Sequence, residues 1–198
     1  MLRIIRLVFM VLVVYSAGYS SSFGLISYVN AAHFNDNGHF SQPNLGSGVG
    51  VYYSIPIKGD LSLVNEIIIN NIGAVYISYL YDIPYKTVYR LKYLEVPILL
   101  QYTMELPLSL RGYLFGGPML GFNLKQSATT KIGSLVQRHE LNNFDPANFA
   151  ITLGAGIMTS HFKVDVRYTY GLLTIISVPG GDYKTSSFSV SVGLPFSK

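Results

Sequence analysis

Residues 162–171 alternate between two kinds of side chain, and this alternation restricts the fold more than any other feature of the sequence. One set of positions holds Phe162, Val164, Val166, Tyr168 and Tyr170, and the other holds Lys163, Asp165, Arg167 and Thr169. Because successive side chains of a β-strand point to opposite sides, this segment is predicted to be a strand with one apolar and one charged face. A fold built from such strands needs an apolar environment for the first face and partners for the charges on the second.

The same alternation recurs along the chain and predicts about eight strands. They are expected at residues 21–30, 48–57, 61–70, 89–103, 108–123, 149–158, 162–171 and 187–196. Short turns are expected at 58–60, 105–107 and 159–161, and longer polar links at 31–47, 71–88, 124–148 and 172–186. Strict alternation of short and long connections is typical of barrels that cross the bacterial outer membrane. The sequence therefore predicts an all-β, up-and-down, antiparallel transmembrane β-barrel.

Composition narrows the alternatives. The chain is 49% hydrophobic and 12% charged and has no cysteine, which excludes a disordered chain and a disulfide scaffold. Beyond the N-terminus it has no run of about 20 apolar residues, which a spanning helix requires, so membrane strands would have to close into a barrel. The formal net charge is +4, and without Arg3 and Arg6 near the N-terminus 12 basic side chains remain against 10 acidic ones, an excess too small to indicate a nucleic-acid partner.

The N-terminus has the pattern of a secretory signal peptide. Arg3 and Arg6 provide positive charge, residues 7–15 form a short apolar segment, and small residues follow. We expect a signal peptide over residues 1–20, with cleavage after Gly18 or after Ser20, and a barrel domain over residues 21–198.

Energetics decide which face points to lipid. An arginine or lysine that faces lipid at mid-membrane costs about 2 to 4 kcal/mol, so the charged faces are expected to point into the barrel. The residues predicted to form this charge network inside the barrel are Glu66, Glu95, Arg111, Lys163, Asp165 and Arg167. Side chains just fill a barrel of about eight strands, so these charges must pair with one another. We expect a structural network in preference to a proton or ion path.

The apolar faces carry aromatic residues near the strand ends. An aromatic girdle is expected from Tyr102, Phe162 and Phe196 at the periplasmic ends and from Phe149, Tyr168, Tyr170 and Phe188 at the outer ends.

Five segments give the sequence a family resemblance. They are YLEVPILLQY at 93–102, FGGPMLGF at 115–122, LGAGI at 153–157, VDVRYTYGL at 164–172 and FSVSVGLPF at 188–196. With them the mature chain resembles the PorT family of outer-membrane β-barrel proteins from Bacteroidota, and the Leu-Glu-Val-Pro core of the first segment is the most specific element. The resemblance implies a cell-envelope role, and some relatives are linked to protein secretion. The sequence departs from the family pattern at 70–73, where Asn-Asn-Ile-Gly precedes a tyrosine-rich stretch.

A second set of polar residues lies in the predicted outer links. His33, Asp36 and His39 share the first link, and His139 and Glu140 share the third. Their spacing fits no metal-ligand or catalytic geometry, so they are interpreted as solvated residues, and no enzyme activity, cofactor or metal is expected. The expected partners are outer-membrane lipid and lipopolysaccharide, the barrel-assembly machinery during insertion, and envelope or secretion proteins that contact the loops.

Two other hypotheses remain open from the sequence. A soluble, exported barrel of the lipocalin type would turn Val164 and Val166 inward to a ligand and the charges of the same strand outward to water. An enzyme with its site in the outer loops is the third hypothesis and the one least favoured by the residues.

Overall fold

A computed structural model describes residues 22–36, 39–80, 83–133, 135–140, 146–178 and 181–196. The predicted signal peptide and both predicted cleavage positions lie outside these residues. Within the described ranges, no helix is long and apolar enough to span a membrane.

The described residues form eleven strands. They are β1 (Ser22–Asp36), β2 (His39–Phe40), β3 (Gln42–Lys58), β4 (Leu61–Leu80), β5 (Ile83–Glu105), β6 (Arg111–Ile132), β7 (Leu135–Glu140), β8 (Ala147–Met158), β9 (Lys163–Gly171), β10 (Ile176–Val178) and β11 (Gly181–Pro195).

Eight of these strands form a closed ring in chain order. The order is β1, β3, β4, β5, β6, β8, β9 and β11, with antiparallel neighbours throughout. β11 then pairs with β1, from Gly24 opposite Pro195 to Asn35 opposite Lys184, so the ring has no free edge. The short strands β2, β7 and β10 extend hairpins at the end of the ring opposite its termini. The predicted up-and-down barrel of about eight strands is confirmed.

The barrel is apolar outside and charged inside. On β9, Val166 and Tyr168 are each 45% exposed on the outer surface, whereas Asp165 and Arg167 are 2% and 4% exposed inside. Apolar side chains on other strands also face outward, among them Val29, Val49, Ile67, Ile69, Leu100, Leu153, Val190 and Val192. A soluble ligand-binding barrel would have the opposite arrangement, so the outer surface fits lipid and the lipocalin hypothesis is not favoured.

Three short connections lie at the end where β1 begins and β11 ends, which we call the periplasmic end. A two-residue turn at 59–60 joins β3 to β4, with Gly59 at φ +54°, and the others are at 106–110 and 159–162. The fifth barrel strand was expected to start at 108, but it starts at Arg111. Leu108 and Ser109 adopt φ values of 64° and 59°, which turn the chain and exclude both residues from the strand.

The predicted long links are largely strand, which corrects the sequence-based boundaries. β4 and β5 form one continuous hairpin up to the pair Leu80 and Ile83, across the stretch expected to be a loop at 71–88. β6 likewise continues to Ile132 and returns as β7. Tyrosine, valine and threonine favour strands, and pairing satisfies the backbone of these segments in water as well as in lipid. β5 has 23 residues, whereas about 10 are enough to cross a bilayer. The hairpins therefore project beyond the membrane on its extracellular side.

The outward position of Val166 makes a prediction about membrane stability. Val166→Arg puts a cation on the lipid face near mid-strand and should lower the free energy of unfolding by about 2 to 4 kcal/mol. Val166→Leu, the control, should change it by less than about 1 kcal/mol, because lipid imposes no fixed shape on this side chain. Urea unfolding in lipid vesicles, followed by gel mobility of folded and unfolded forms, measures both. Equal stability of Val166→Arg and the parent would mean that Val166 does not face lipid.

Candidate functional site: an ion-pair network inside the barrel

The charged side chains inside the barrel come from strands on opposite walls. Lys163, Asp165 and Arg167 occupy alternate inward positions of β9, and Glu66 occupies an inward position of β4. In the ring order β4 and β9 are four strands apart, which is the largest separation that eight strands allow. Contacts between these side chains therefore cross the full width of the interior.

Arg167 is the centre of the network. Its Nη1 donates to Glu66 Oε2 at 2.8 Å, and its Nε and Nη2 donate to the two carboxylate oxygens of Asp165 at 2.9 and 3.0 Å. Glu66, Asp165 and Arg167 are 1%, 2% and 4% exposed. One guanidinium thus satisfies two carboxylates, with a fork-shaped contact to Asp165 that its planar donors suit.

Tyrosines complete the coordination. Tyr28 Oη donates to Glu66 Oε2 and accepts from Arg167 Nη1 at 2.9 Å, and Tyr113 Oη donates to Asp165 Oδ2 at 3.0 Å. The guanidinium carbon of Arg167 also lies 4.6 Å from the ring centroid of Tyr28 and 4.9 Å from that of Phe115. The rings supply cation–π contact and exclude water from the ion pairs.

Lys163 supplies the second base. Its Nζ lies 4.0 Å from Glu66 Oε1 and 3.8 Å from the centroid of the Tyr52 ring. With Glu66, Asp165 and Arg167 it makes a group of two acids and two bases. Ionised groups buried in this way are stable only when their charges balance, so loss of one member leaves a neighbour uncompensated.

Glu95 is buried but does not pair with a base, contrary to the expectation that the charges inside the barrel pair with one another. It accepts a hydrogen bond of 3.0 Å from Asn70 Nδ2, and Asn70 Oδ1 accepts one of 2.8 Å from Asn30. Among the described residues, no lysine or arginine nitrogen lies within 4.0 Å of Glu95. The guanidinium of Arg167 is already occupied by Glu66 and Asp165, so amides serve Glu95 instead.

Arg111 lies outside the network, which corrects its predicted place there. It is the first residue of β6 and is exposed at the periplasmic mouth, where it lines a cavity of 980 Å³ that reaches inward to Val64 and Lys163. A long side chain at a strand end can keep its charge in water, and this position removes the need for a partner.

Apolar layers lie on both sides of the network. Ile26, Val64 and Leu99 pack on its periplasmic side. On its outer side lies an aromatic cluster that includes Phe34, Tyr76, Tyr89, Tyr93 and Tyr183. Tyr76 has ring centroids of Phe34, Tyr89 and Tyr183 at 5.6 to 6.4 Å. The sequence interpretation missed the inward tyrosines, although Tyr113 and Phe115 share the side of β6 that faces the network.

The predicted girdle residues lie on the outer surface. Tyr102, Phe162, Tyr168, Phe188 and Phe196 are 41% to 54% exposed, and Phe149 and Tyr170 are partly buried. Phe23, which the sequence interpretation did not include, packs against Phe196 at the periplasmic end, with ring centroids 5.3 Å apart and ring planes tilted by 53°.

The histidine and acid set of the outer links is divided between two hairpins, with Asp36 opposite His39 in the pairing of β1 with β2 and His139 beside Glu140 on β7. His33 lies on β1 and His139 on β7, which pairs with β6 and has no pairing with β1 in the described sheet. The side chains of Asp36 and His39 are outside those that the structure describes. No group of three histidine, aspartate or glutamate side chains in the described ranges could hold a metal ion.

The network predicts that two arginines of one barrel differ in their effect on stability. Arg167→Met leaves Asp165 without a base and Glu66 with Lys163 alone at 4.0 Å, and it should lower the free energy of unfolding by about 3 to 5 kcal/mol. Arg111→Met is the same chemical change at an exposed position and should alter it by less than about 0.5 kcal/mol. Urea unfolding in detergent or lipid gives both values. Similar losses in the two variants would mean that burial of Arg167 has no energetic consequence.

The two buried glutamates make a second matched pair. Glu66→Gln leaves Arg167 and Lys163 with excess positive charge and should cost about 3 kcal/mol or more. In Glu95→Gln the new amide oxygen can still accept from Asn70, so the loss should be below about 1 kcal/mol. The same unfolding assay ranks them, and a larger loss from Glu95→Gln would contradict the assignment of Glu66 as the paired acid.

Comparison with known proteins gives one family match. Residues 11–177 match the family described as outer membrane protein beta-barrel domain. The comparison with curated proteins found no match.

Solved structures similar to this chain include outer-membrane barrels of low sequence identity. Ail, the attachment invasion locus protein of Yersinia pestis, is 13% identical, with 90% of this chain and 99% of that chain covered and a TM-score of 0.43. Neisserial surface protein A is 13% identical over 89% and 99% of the two chains, with a TM-score of 0.47. The outer membrane enzyme PagL is 14% identical over 85% and 99%, with a TM-score of 0.45. The family match covers most of the chain, and this protein therefore belongs to the outer membrane protein beta-barrel domain family and is located in the outer membrane.

Proposed function

We propose that this protein is a non-enzymatic outer-membrane barrel whose interior is closed by its own side chains and which serves the cell envelope through its outer hairpins. The observation that carries the proposal is the hydrogen-bonded ion pair between Arg167 and Glu66, which joins opposite walls of the ring at 2.8 Å.

Packing around that ion pair supports a closed interior. Side chains nearly fill the interior of an eight-stranded barrel, and here apolar layers lie above and below the network. Between the network and Glu95 there is a cavity of 20 Å³, room for about one water molecule. The larger cavity of 980 Å³ opens at the periplasmic mouth, and its lining residues include Val64, Lys163 and Tyr52, whose ring Lys163 contacts.

The chemistry of the network favours a structural role over an ion path. A conducting path needs sites that hold an ion weakly enough to release it. Here Glu66 and Asp165 are each bonded to Arg167 and to a tyrosine hydroxyl, so their oxygens are occupied by fixed donors. The aromatic cluster on the outer side adds a layer of packed rings beyond the network.

The proposal includes the finer assignments made from the sequence. We assign the protein to PorT-type barrels of Bacteroidota, with a cleaved signal peptide at residues 1–20, insertion by the barrel-assembly machinery, an aromatic girdle, and a link to protein secretion. The segment at 93–102 supports the assignment, because it forms the part of β5 that crosses the membrane and turns Glu95 inward. A deletion strain that secretes normally would remove the secretion link and leave the closed barrel standing.

The closed interior predicts the electrical behaviour of the purified protein. In planar lipid bilayers the full-length barrel should show no large, stable channels, because the Arg167 network and the layers beside it obstruct the interior. A porin incorporated in the same membranes serves as the positive control. Steady openings of uniform size in samples that are folded by gel mobility would contradict the proposal.

A further inference from the structure

Positive charge is concentrated on one outer surface of the projecting hairpins. Six lysines and arginines occupy outward, exposed positions of β5, β6 and β7: Lys86, Arg90, Lys92, Lys125, Lys131 and Arg138. The whole chain has 14 lysines and arginines. The one acid described on the same surface is Glu140.

The lowest of these charges lie directly above the lipid-facing band. On β5 the outward residues from Leu94 to Met104 are apolar or aromatic, and the next outward positions are Lys92 and Arg90. Residues 94–104 have the length of a strand that crosses the hydrocarbon layer, which needs about 9 to 11 residues. Lys92 and Arg90 therefore lie at the level of the lipid headgroups in the outer leaflet, where cations carry little penalty.

Four of the six bases line one groove. Its volume is 300 Å³, and its lining residues include Arg90, Lys92, Lys125 and Arg138 together with the amides Asn44 and Asn71. The groove forms where the pairing of β3 with β4 is interrupted between Pro43 and Gly48 and where β6 bulges beside Lys92. Irregular pairing at this height thus opens a concave site lined by hydrogen-bond donors.

The charges in the groove lack enough acids to balance them. Lys92 and Lys125 face each other directly across β5 and β6, an arrangement of like charges that is unfavourable on its own. Lys125 is 3.0 Å from Glu140, whose pKa this lysine holds below its usual range, so Glu140 is ionised at neutral pH and offsets one base. In the described part of the chain, no carboxylate lies within 4.0 Å of Arg90, Lys92 or Arg138.

We propose that this groove binds the phosphate groups of lipopolysaccharide in the outer leaflet. Arg90, Lys92, Lys125 and Arg138 supply charge-assisted donors for phosphate oxygens, and the acyl chains lie along the apolar surface of β5 that begins at Leu94. A phosphorylated glycolipid fits both parts of the site, whereas a soluble anion would use the groove alone. The proposal rests on the outer-membrane location and not on the closed interior.

The first experiment varies the ligand and needs no variant. Full-length protein folded in detergent is titrated with bisphosphorylated lipid A, with lipid A of the same acyl chains lacking both phosphates, and with inorganic phosphate, and bound complexes are counted by native mass spectrometry. We expect saturable binding of the first, at least about tenfold weaker binding of the second, and none of the third at the same concentration. Equal binding of both lipid A forms would overturn the proposal, and so would equal binding of inorganic phosphate.

The second experiment tests the position of the site with a matched pair of variants. Lys92→Gln with Lys125→Gln removes two opposed lysines in the groove, and Lys86→Gln with Lys131→Gln removes two opposed lysines about 20 Å further out on the same strands. Each changes the net charge equally. We expect about tenfold weaker lipid A binding in the groove variant and less than about twofold in the control. Equal loss in both would mean diffuse attraction and overturn the assigned site.

The two proposals fail separately. A barrel that conducts ions and still binds lipid A through Lys92 and Lys125 would contradict the closed interior and support this site. If the groove variant does not fold, the first experiment decides the question, because it compares binding of lipid A with and without its phosphates to the unmodified protein.

Discussion

Arg167 is a buried cation with two carboxylate partners, and the geometry of the barrel depends on bringing all three to the same height. Two of the three, Arg167 and Asp165, lie on β9, but Glu66 reaches them from β4 on the opposite wall. A shift of one residue in the pairing of β9 would turn Arg167 towards lipid and leave Glu66 buried without a base. Burying an ion pair adds little net stability compared with an apolar pair, but it makes the wrong register costly. The network therefore specifies the alignment of the strands. The apolar outer surface alone does not distinguish one alignment from another.

Small residues on the barrel wall make room for this arrangement. A side chain at Gly154 would overlap the ring of Phe115, and one at Gly156 would overlap the ring of Tyr113. Both rings lie against the inner wall, where Phe115 covers the Arg167 guanidinium and Tyr113 binds Asp165. Alternation of glycine with Leu153, Ala155 and Ile157 on β8 thus serves both faces of the strand, because the outward positions contact lipid while the inward ones admit aromatic rings. The glycines of β8 and the aromatic rings of the neighbouring strand β6 therefore fit together.

The sequence predicts the faces of β9 and the ring of eight strands because both follow from local alternation and connection length. It predicts less well where strands end. The stretch 71–88 contains Gly73 and Pro84, which suggest a loop. Its residues nevertheless pair between β4 and β5, because nothing else in the fold prevents this hairpin from extending beyond the membrane. Partners inside the barrel also escaped prediction. Whether Glu95 meets Arg167 or Asn70 depends on the relative height of strands far apart in the sequence, and a periodic pattern carries no information on that height.

Depth in the membrane sorts the cations of this chain into separate environments. Inside the barrel, Lys163 and Arg167 are balanced by Glu66 and Asp165 within 4.0 Å. Lys58 and Arg111 lie at the periplasmic strand ends, in reach of water. The third group begins on the outward side of β5 at Lys92, one outward position beyond Leu94, where the lipid-facing band ends. The free-energy cost of placing a cation in lipid explains why these groups are separated along the barrel axis. An unpaired cation on the lipid face costs most at the midplane and little at the headgroups. The cations of the third group lie at the depth where this penalty becomes small, and they lack enough nearby acids to balance them. At this depth the outer leaflet can supply the negative charge.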